Sequence, residues 1–239
     1  MTSVALVTGA AGGIGRAIAQ RLADAGHVVV GGDLAPPASE TDGPHEGIVD
    51  VHLDVTDDDS IAAALTTATE LGELRTVVNC AAVLSAARTP NLTDSQLDHQ
   101  IDVNLAGTIR VCRAVTDRLG SGGSIVNIGS ISATLGGAPG VGVYAATKAG
   151  IEGFTRALAC ELGPRGARAN VVSPGFVDAP MAGLLRSDPD TEARIVASVP
   201  LRRLGRPDEI AEVVEFLASE RASYVSGATV RVDGGRVAS

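Results

Sequence analysis

The chain contains no tryptophan, two tyrosines, three phenylalanines, three cysteines and a single lysine, Lys148, among 19 lysines and arginines. The cysteines, Cys80, Cys112 and Cys160, are widely spaced in apolar or helical contexts, so they read as reduced and mostly packed, without a redox or metal role. The four histidines form no metal-ligand pattern. Cations are outnumbered by 28 acidic residues, giving a net charge of -9 and a sequence pI near 4.9. That balance gives nucleic acid and anionic membranes no general electrostatic attraction. No apolar run is long enough for a membrane span, and the opening MTSVALVTGA lacks the basic flank of a signal peptide. A cytoplasmic protein is expected, with neither nucleic acid nor membrane as a partner. The 45% hydrophobic content argues against a disordered chain, and the 29 glycines follow no three-residue period, which excludes a collagen-like one. A chain of 239 residues buries enough surface for one sizeable core, and no linker or internal repeat interrupts it, so residues 1–239 read as a single domain.

Two kinds of segment alternate along the chain. Val4-Ala5-Leu6-Val7-Thr8 is a short apolar run ending in glycines, suited to a strand buried on both faces. Ile14, Ala17, Ile18, Leu22 and Ala25 then recur at helical spacing until Gly26. Further strands are expected from Val28, over 48–53, 76–79, 124–129, 168–173 and 228–232. Helices are expected over 57–71, 94–119, 142–163 and 207–218, the last opening on Pro207-Asp208-Glu209. Residues 34–47, rich in Pro, Asp, Glu and Gly, read as a surface loop. This alternation predicts an α/β fold with a mostly parallel sheet covered on both faces.

The first strand runs into Gly9-Ala10-Ala11-Gly12-Gly13-Ile14-Gly15 and then a helix. Glycines let the backbone turn sharply and approach a ligand closely. The helix N-terminus offers unpaired N–H groups and positive dipole density. Gly9, Gly13 and Gly15 follow a G-x3-G-x-G spacing, so a dinucleotide pyrophosphate site is expected there. Asp33 closes the second strand. A carboxylate at that point accepts both hydroxyls of an adenosine ribose and repels a 2′-phosphate, and no Arg or Lys occurs among residues 31–47 to reverse the preference. NAD is therefore expected rather than NADP. Asp54, at the edge of the third strand, either caps the following turn or reaches the adenine amino group.

Tyr144-Ala145-Ala146-Thr147-Lys148 resembles the Tyr-x-x-x-Lys motif of the short-chain dehydrogenases/reductases in their single-domain form. The resemblance runs over nearly the whole chain: Thr8-Gly9 through Gly15, Asp54, Asn79-Cys80-Ala81-Ala82, Asn104, Ser130, Tyr144, Lys148, Pro174-Gly175 and Gly234. It implies a Rossmann-type, doubly wound, seven-stranded sheet and a homotetramer, or else a homodimer. It implies coenzyme contacts from Gly9, Gly13, Ile14, Gly15, Asp33, Asp54, Val55, Asn79, Ala81, Tyr144, Lys148, Pro174, Gly175 and Val177. It also implies Asn104, Ser130, Tyr144 and Lys148 as the catalytic set, with no metal. The chemistry has its own footing, because positions i and i+4 share one helix face. A phenol ionises near pH 10, a nearby ammonium favours the phenolate, and Tyr144 then exchanges a proton with an alcohol or ketone oxygen.

Ser130 ends a strand, where its hydroxyl would steady the substrate oxygen. Ser132 is its rival, since the family separates serine and tyrosine by about 13 residues while Ser130 gives 14 and Ser132 gives 12; the strand-end Gly-Ser match favours Ser130. Asn104 resembles the family asparagine that holds a water in a proton relay. Two departures stand out. Ala82 replaces a usual glycine, and Ala179 lies where a threonine often contacts the nicotinamide carboxamide, a contact that the backbone at Val177 would have to supply. Residues 181–206 read as a substrate cover. Met181, Leu184, Leu185 and Ile195 there form either an apolar wall or packing between short helices, and Arg202, Arg203 and Arg206 read as solvated. The expected activity is NAD-dependent interconversion of a secondary alcohol and a ketone. The alternatives are reduction of a 3-oxoacyl thioester, oxidation of a cyclic diol, or a non-catalytic dinucleotide sensor.

Overall fold

The alternation along the first strand already places two layers. In β1 (Ser3–Thr8), Val4 and Leu6 face one side of the sheet and Ala5 and Val7 the other, and all four are buried. The computed structural model describes residues 2–35, 45–179 and 189–238. Met181, Leu184 and Leu185 of the expected cover, and residues 36–44 of the expected 34–47 loop, lie outside the described residues.

The elements follow as α1 (Gly13–Asp24), β2 (Val28–Asp33), β3 (Ile48–His52), α2 (Asp58–Leu71), β4 (Glu73–Asn79), α3 (Asp94–Gln100), α4 (Thr108–Thr116), β5 (Ser124–Ile128), α5 (Ser132–Leu135), α6 (Gly142–Leu162), β6 (Arg168–Pro174), α7 (Pro189–Ser198), α8 (Pro207–Ala218) and β7 (Thr229–Val232). The seven strands form one sheet in the order β3-β2-β1-β4-β5-β6-β7, every pair parallel. Helices α2, α4 and α6 cover one face through Leu65, Val111 and Leu158, while α1 and α8 cover the other through Ile18, Leu22 and Val214. This is the doubly wound Rossmann-type architecture. The strand order reverses between β1 and β4, which opens a crevice at their carboxyl ends. No described helix is long and apolar enough to cross a membrane.

Two elements differ from expectation. β4 begins at Glu73 rather than near 76, because a register shift leaves Arg75 bulged between the Val4–Leu74 and Ala5–Thr76 pairs. The helix expected over 94–119 is three pieces. α3, started by a Thr93–Gln96 capping box, passes into a π-helical stretch, Ile101–Gly107, before α4 resumes. A wide turn of this kind is common at functional sites. Here it carries Asn104.

Candidate active site

The glycine turn is built so that side chains would close it. Gly9 and Gly13 sit at φ 70° and 55°, which favours glycine, and a Cβ on Gly15 would stand 1.9 Å from the Gly9 carbonyl oxygen. Thr8 Oγ1 accepts the N–H groups of Cys80 and Ala81, both at 3.1 Å, holding the ends of β1 and β4 together. Gly12, the N-cap of α1, supplies no capping side chain, so Ile14 and Gly15 begin a helix whose first amides suit an anion. These features fit a dinucleotide pyrophosphate.

Asp33 borders a cavity of about 170 Å³ with Ala11, Gly31, Leu34, Asp50 and His52. Its Oδ2 accepts the Ala11 N–H at 2.9 Å and its Oδ1 the Leu34 N–H at 2.7 Å, so the carboxylate is pinned at the rim of that recess. Asp54 Oδ1 accepts both the N–H and the hydroxyl of Thr56, at 2.8 and 2.7 Å, and these bonds hold its carboxyl below the usual range. The turn-capping reading of Asp54 therefore has the geometry. Val55 packs its side chain beneath the π turn, where Gly107 leaves room that a Cβ would take, 2.7 Å from Val55 Cγ2. A coenzyme contact from Asn79 falls to its main chain, because its side chain is engaged elsewhere. That side chain points into the sheet interior, with Nδ2 donating to Asn127 Oδ1 at 2.8 Å and to Cys112 Sγ at 3.3 Å. Ala81, half-buried, packs on the core beside it.

At the far side of the crevice, Pro174 O accepts the Ile131 N–H at 3.0 Å and the Gly175 N–H donates to Val232 O at 2.9 Å. A Cβ on Gly175 would lie 2.7 Å from Asp233 Cα. Val177 is buried and bridged to Gly205, and its carbonyl accepts the Ala179 N–H at 2.9 Å. Arg203 is exposed and makes two bonds to Glu209, at 2.7 and 2.6 Å, which ties it to the start of α8. Cys112 is buried and Cys80 half-buried, but Cys160 is exposed on α6, contrary to the packed reading.

Ser130, Tyr144 and Lys148 converge at the end of β5. The Ser130 hydroxyl lies near enough to the Tyr144 phenol to influence its ionisation, and Ser130 Oγ accepts the Ser132 N–H at 3.1 Å. Ser132 turns its own hydroxyl toward Gly137. Lys148 is buried, with Nζ donating to Ile128 O at 2.8 Å and standing 5.6 Å from the Tyr144 ring centre. Burial pushes the Tyr144 phenol up to about 12, with the Ser130 hydroxyl opposing it, and pushes Lys148 down to about 8. The expectation that Lys148 lowers the phenol is therefore corrected for the protein's own groups. Desolvation dominates at the phenol, and the Lys148 ammonium donates to a main-chain carbonyl, Ile128 O.

Asn104 is buried at the π turn. Its Oδ1 accepts the Val83 N–H at 2.8 Å, and its Nδ2 donates to Val83 O at 2.9 Å and to Thr147 Oγ1 at 3.4 Å. One turn earlier Gln100 treats Ser85 the same way, accepting its N–H and donating to its carbonyl, both at 3.2 Å. Two helix amides thus act as a strand partner for the segment after β4. Thr147 Oγ1 in turn donates to Tyr144 O at 2.8 Å, joining this clamp to the catalytic helix. The Asn104 amide is thereby committed to positioning the wall of the site. Gln100 and Thr147 were missed from sequence; a pair of amides at i and i+4 was the available signal.

A family model described as enoyl-(acyl carrier protein) reductase matches residues 9–236. The chain is 42% identical over 243 residues to the 3-oxoacyl-[acyl-carrier-protein] reductase FabG of Pseudomonas aeruginosa, covering 97% of this chain and 96% of that protein. It is 39% identical to FabG of Salmonella typhimurium, with the same coverage. Among solved structures, the ligand-free aldohexose dehydrogenase of Thermoplasma acidophilum superposes with a TM-score of 0.91 at 30% identity, over 100% of this chain and 95% of that one. With the Ser130–Tyr144–Lys148 geometry, these likenesses place the chain in the short-chain dehydrogenase/reductase family, as an oxidoreductase acting on CH–OH groups.

Proposed function

We propose that the chain reduces the 3-keto group of a 3-oxoacyl thioester to a 3-hydroxyl, reversibly, with NADH as the preferred coenzyme. The observation that carries the substrate class is the end-to-end 42% identity to a protein named for that reaction. The site chemistry agrees with the direction. A phenol held at about 12 is protonated at neutral pH, which suits a proton donor to a carbonyl oxygen. When bound, the reduced nicotinamide supplies the hydride to the carbonyl carbon. Ser130 steadies the oxygen as negative charge develops there, and Tyr144 gives it a proton. Lys148 supports the phenolate that remains, and by resemblance it also holds the nicotinamide ribose.

Asp33 supports NADH over NADPH, because a 2′-phosphate there meets a carboxylate with no Arg or Lys among residues 31–47. We read residues 1–239 as one domain with a substrate cover at about 181–206. The assembly is read as a homotetramer, or a homodimer, in the cytoplasm. A second reading, oxidation of a sugar or cyclic diol, is favoured by the same Asp33 and by the aldohexose dehydrogenase likeness. The test follows absorbance at 340 nm with acetoacetyl-CoA against NADH and NADPH, and with hexoses and diols against NAD. Thioester turnover is expected, with NADH preferred at least about tenfold, since like charges in contact cost several kcal/mol. Hexose or diol turnover without thioester turnover would establish the second reading. Tight NADH binding with no turnover at all would indicate a sensor.

A further inference from the structure

We infer that Gln100 is a positioning residue for the reaction: it fixes the chain after β4 at Ser85, and that chain in turn holds the first turn of α6, where Tyr144 stands. The inference applies to any ketone or alcohol that the site turns over, so it goes beyond the thioester reading and does not need it. Gln100 is fully buried, and the other largest side chains buried to that depth among the described residues are all leucine or isoleucine. A leucine would fill such a space without the cost of desolvating an amide. What the amide adds is its bonds. Oε1 accepts the Ser85 N–H at 3.2 Å, and Nε2 donates to Ser85 O at 3.2 Å and to Gln96 O at 3.3 Å.

The spacing explains why Gln100 and Asn104 work as a pair. They stand four residues apart on the helix, a rise of about 6 Å, while Val83 and Ser85 are two residues apart, about 6.6 Å in an extended chain. Each amide therefore meets the N–H and the carbonyl of one residue. Among the described residues no strand lies between Asn79 and Ser124, so the two amides stand in for a sheet partner. Two residues beyond Ser85, the Ala87 N–H donates to Gly140 O at 2.9 Å. Gly140 precedes Val141, the N-cap of α6, which makes no side-chain capping bond. Val141 O accepts the Ala145 N–H at 2.9 Å and closes the turn that carries Tyr144. The start of the catalytic helix is thus held from outside, by a segment that Gln100 anchors just before Ala87.

The test compares Gln100→Met, which keeps the length and removes both bonds to Ser85, with Ser124→Ala, which removes a buried bond to Leu217 O at the far end of β5. Turnover is followed at 340 nm with NADH and acetoacetyl-CoA, or with NAD and a hexose or diol where the wild type turns that over instead. Melting temperature and the NADH dissociation constant are measured alongside. In Gln100→Met, kcat is expected to fall about 10- to 100-fold with KM and NADH affinity unchanged, the loss from a proton donor displaced by up to about 1 Å. Ser124→Ala is expected to melt lower with kcat intact. Because Gln100 acts through Tyr144, adding Gln100→Met to Tyr144→Phe is expected to lower kcat by much less than that factor. Ala87→Pro removes the N–H that reaches Gly140 and is expected to reproduce the kcat loss; it decides the matter should Gln100→Met fail to fold. Full kcat in a folded Gln100→Met would overturn the inference. So would a loss confined to KM, a loss equalled in Ser124→Ala, or a loss that multiplies with that of Tyr144→Phe. None of these results touches the thioester reading, which stands or falls on which substrate is turned over. An inactive wild type would overturn both.

Discussion

Replacing Lys148 by methionine is expected to stabilise the protein while disabling it. The ammonium is 2% exposed and has one hydrogen-bond acceptor, Ile128 O at 2.8 Å. Burial takes its pKa from 10.5 to about 8. That difference of about 2.5 units means that holding the charge in the folded chain costs about 3 kcal/mol. Below pH 8 both folded and unfolded chains carry the proton, and the whole penalty applies. Between 8 and 10.5 the folded chain gives up its proton first, so the penalty fades and wild-type stability from this group rises with pH. Methionine has a similar length and no charge. It leaves the Ile128 carbonyl without its donor, a loss of about 1–2 kcal/mol, so the net gain at pH 7 is about 1–2 kcal/mol. In a chain of this size that raises the melting temperature by about 2–8 °C.

The pH dependence makes the argument specific. By pH 9.5 the wild type has recovered about 2 kcal/mol of the penalty, so the two melting curves should meet or cross. Tyr144 works in the opposite sense in both proteins. Its folded value of about 12 against 10 gives stability that is full below pH 10 and lost as the pH rises through 12, so a comparison at 7 and 9.5 stays clear of it. The assay is thermal unfolding followed by circular dichroism at both pH values, with turnover at 340 nm expected to fall at least about 100-fold. A methionine variant that melts lower than wild type at pH 7, or a gap that stays constant to pH 9.5, would refute the reasoning.

Tyr144→Phe removes the proton donor and is expected to lower kcat at least about 100-fold while NADH affinity changes little; an undiminished rate would reassign the donor. Asp33→Asn, which removes the charge at the adenosine recess, is expected to shrink the NADH-over-NADPH ratio of kcat/KM at least about tenfold. Asn104→Ala leaves the Val83 N–H and carbonyl without partners and is expected to cost about 1–3 kcal/mol, read as a drop of several degrees in melting temperature. Because that clamp reaches Tyr144 through Thr147, its kcat should fall as well, and a change confined to stability would make Asn104 purely structural.

The alternation of strands and helices was legible because buried parallel strands and amphipathic helices leave opposite periods in the sequence. The π turn was not. The run from 94 to 116 keeps helical spacing throughout, and one widened turn alters no residue type; only Gly107, giving way to Val55, marks it locally. The side-chain direction of Asn79 was available and overlooked. Val77 faces the layer that contains Cys112, and period-two alternation puts Asn79 on that same side. The choice of Ser130 over Ser132 was legible from the Gly-Ser at the strand end, although separations of 12 and 14 are equidistant from the usual spacing. The charge state of the catalytic pair lies further still from sequence. Four-residue spacing brings the ammonium and phenol to one helix face, but the sign of their pKa shifts follows from how deeply the fold buries them, with Ser130 opposing the shift at the phenol. The same helix face would serve as base or acid according to how far it is desolvated. In this protein burial raises the tyrosine and lowers the lysine, a pairing that suits the proton donor proposed above.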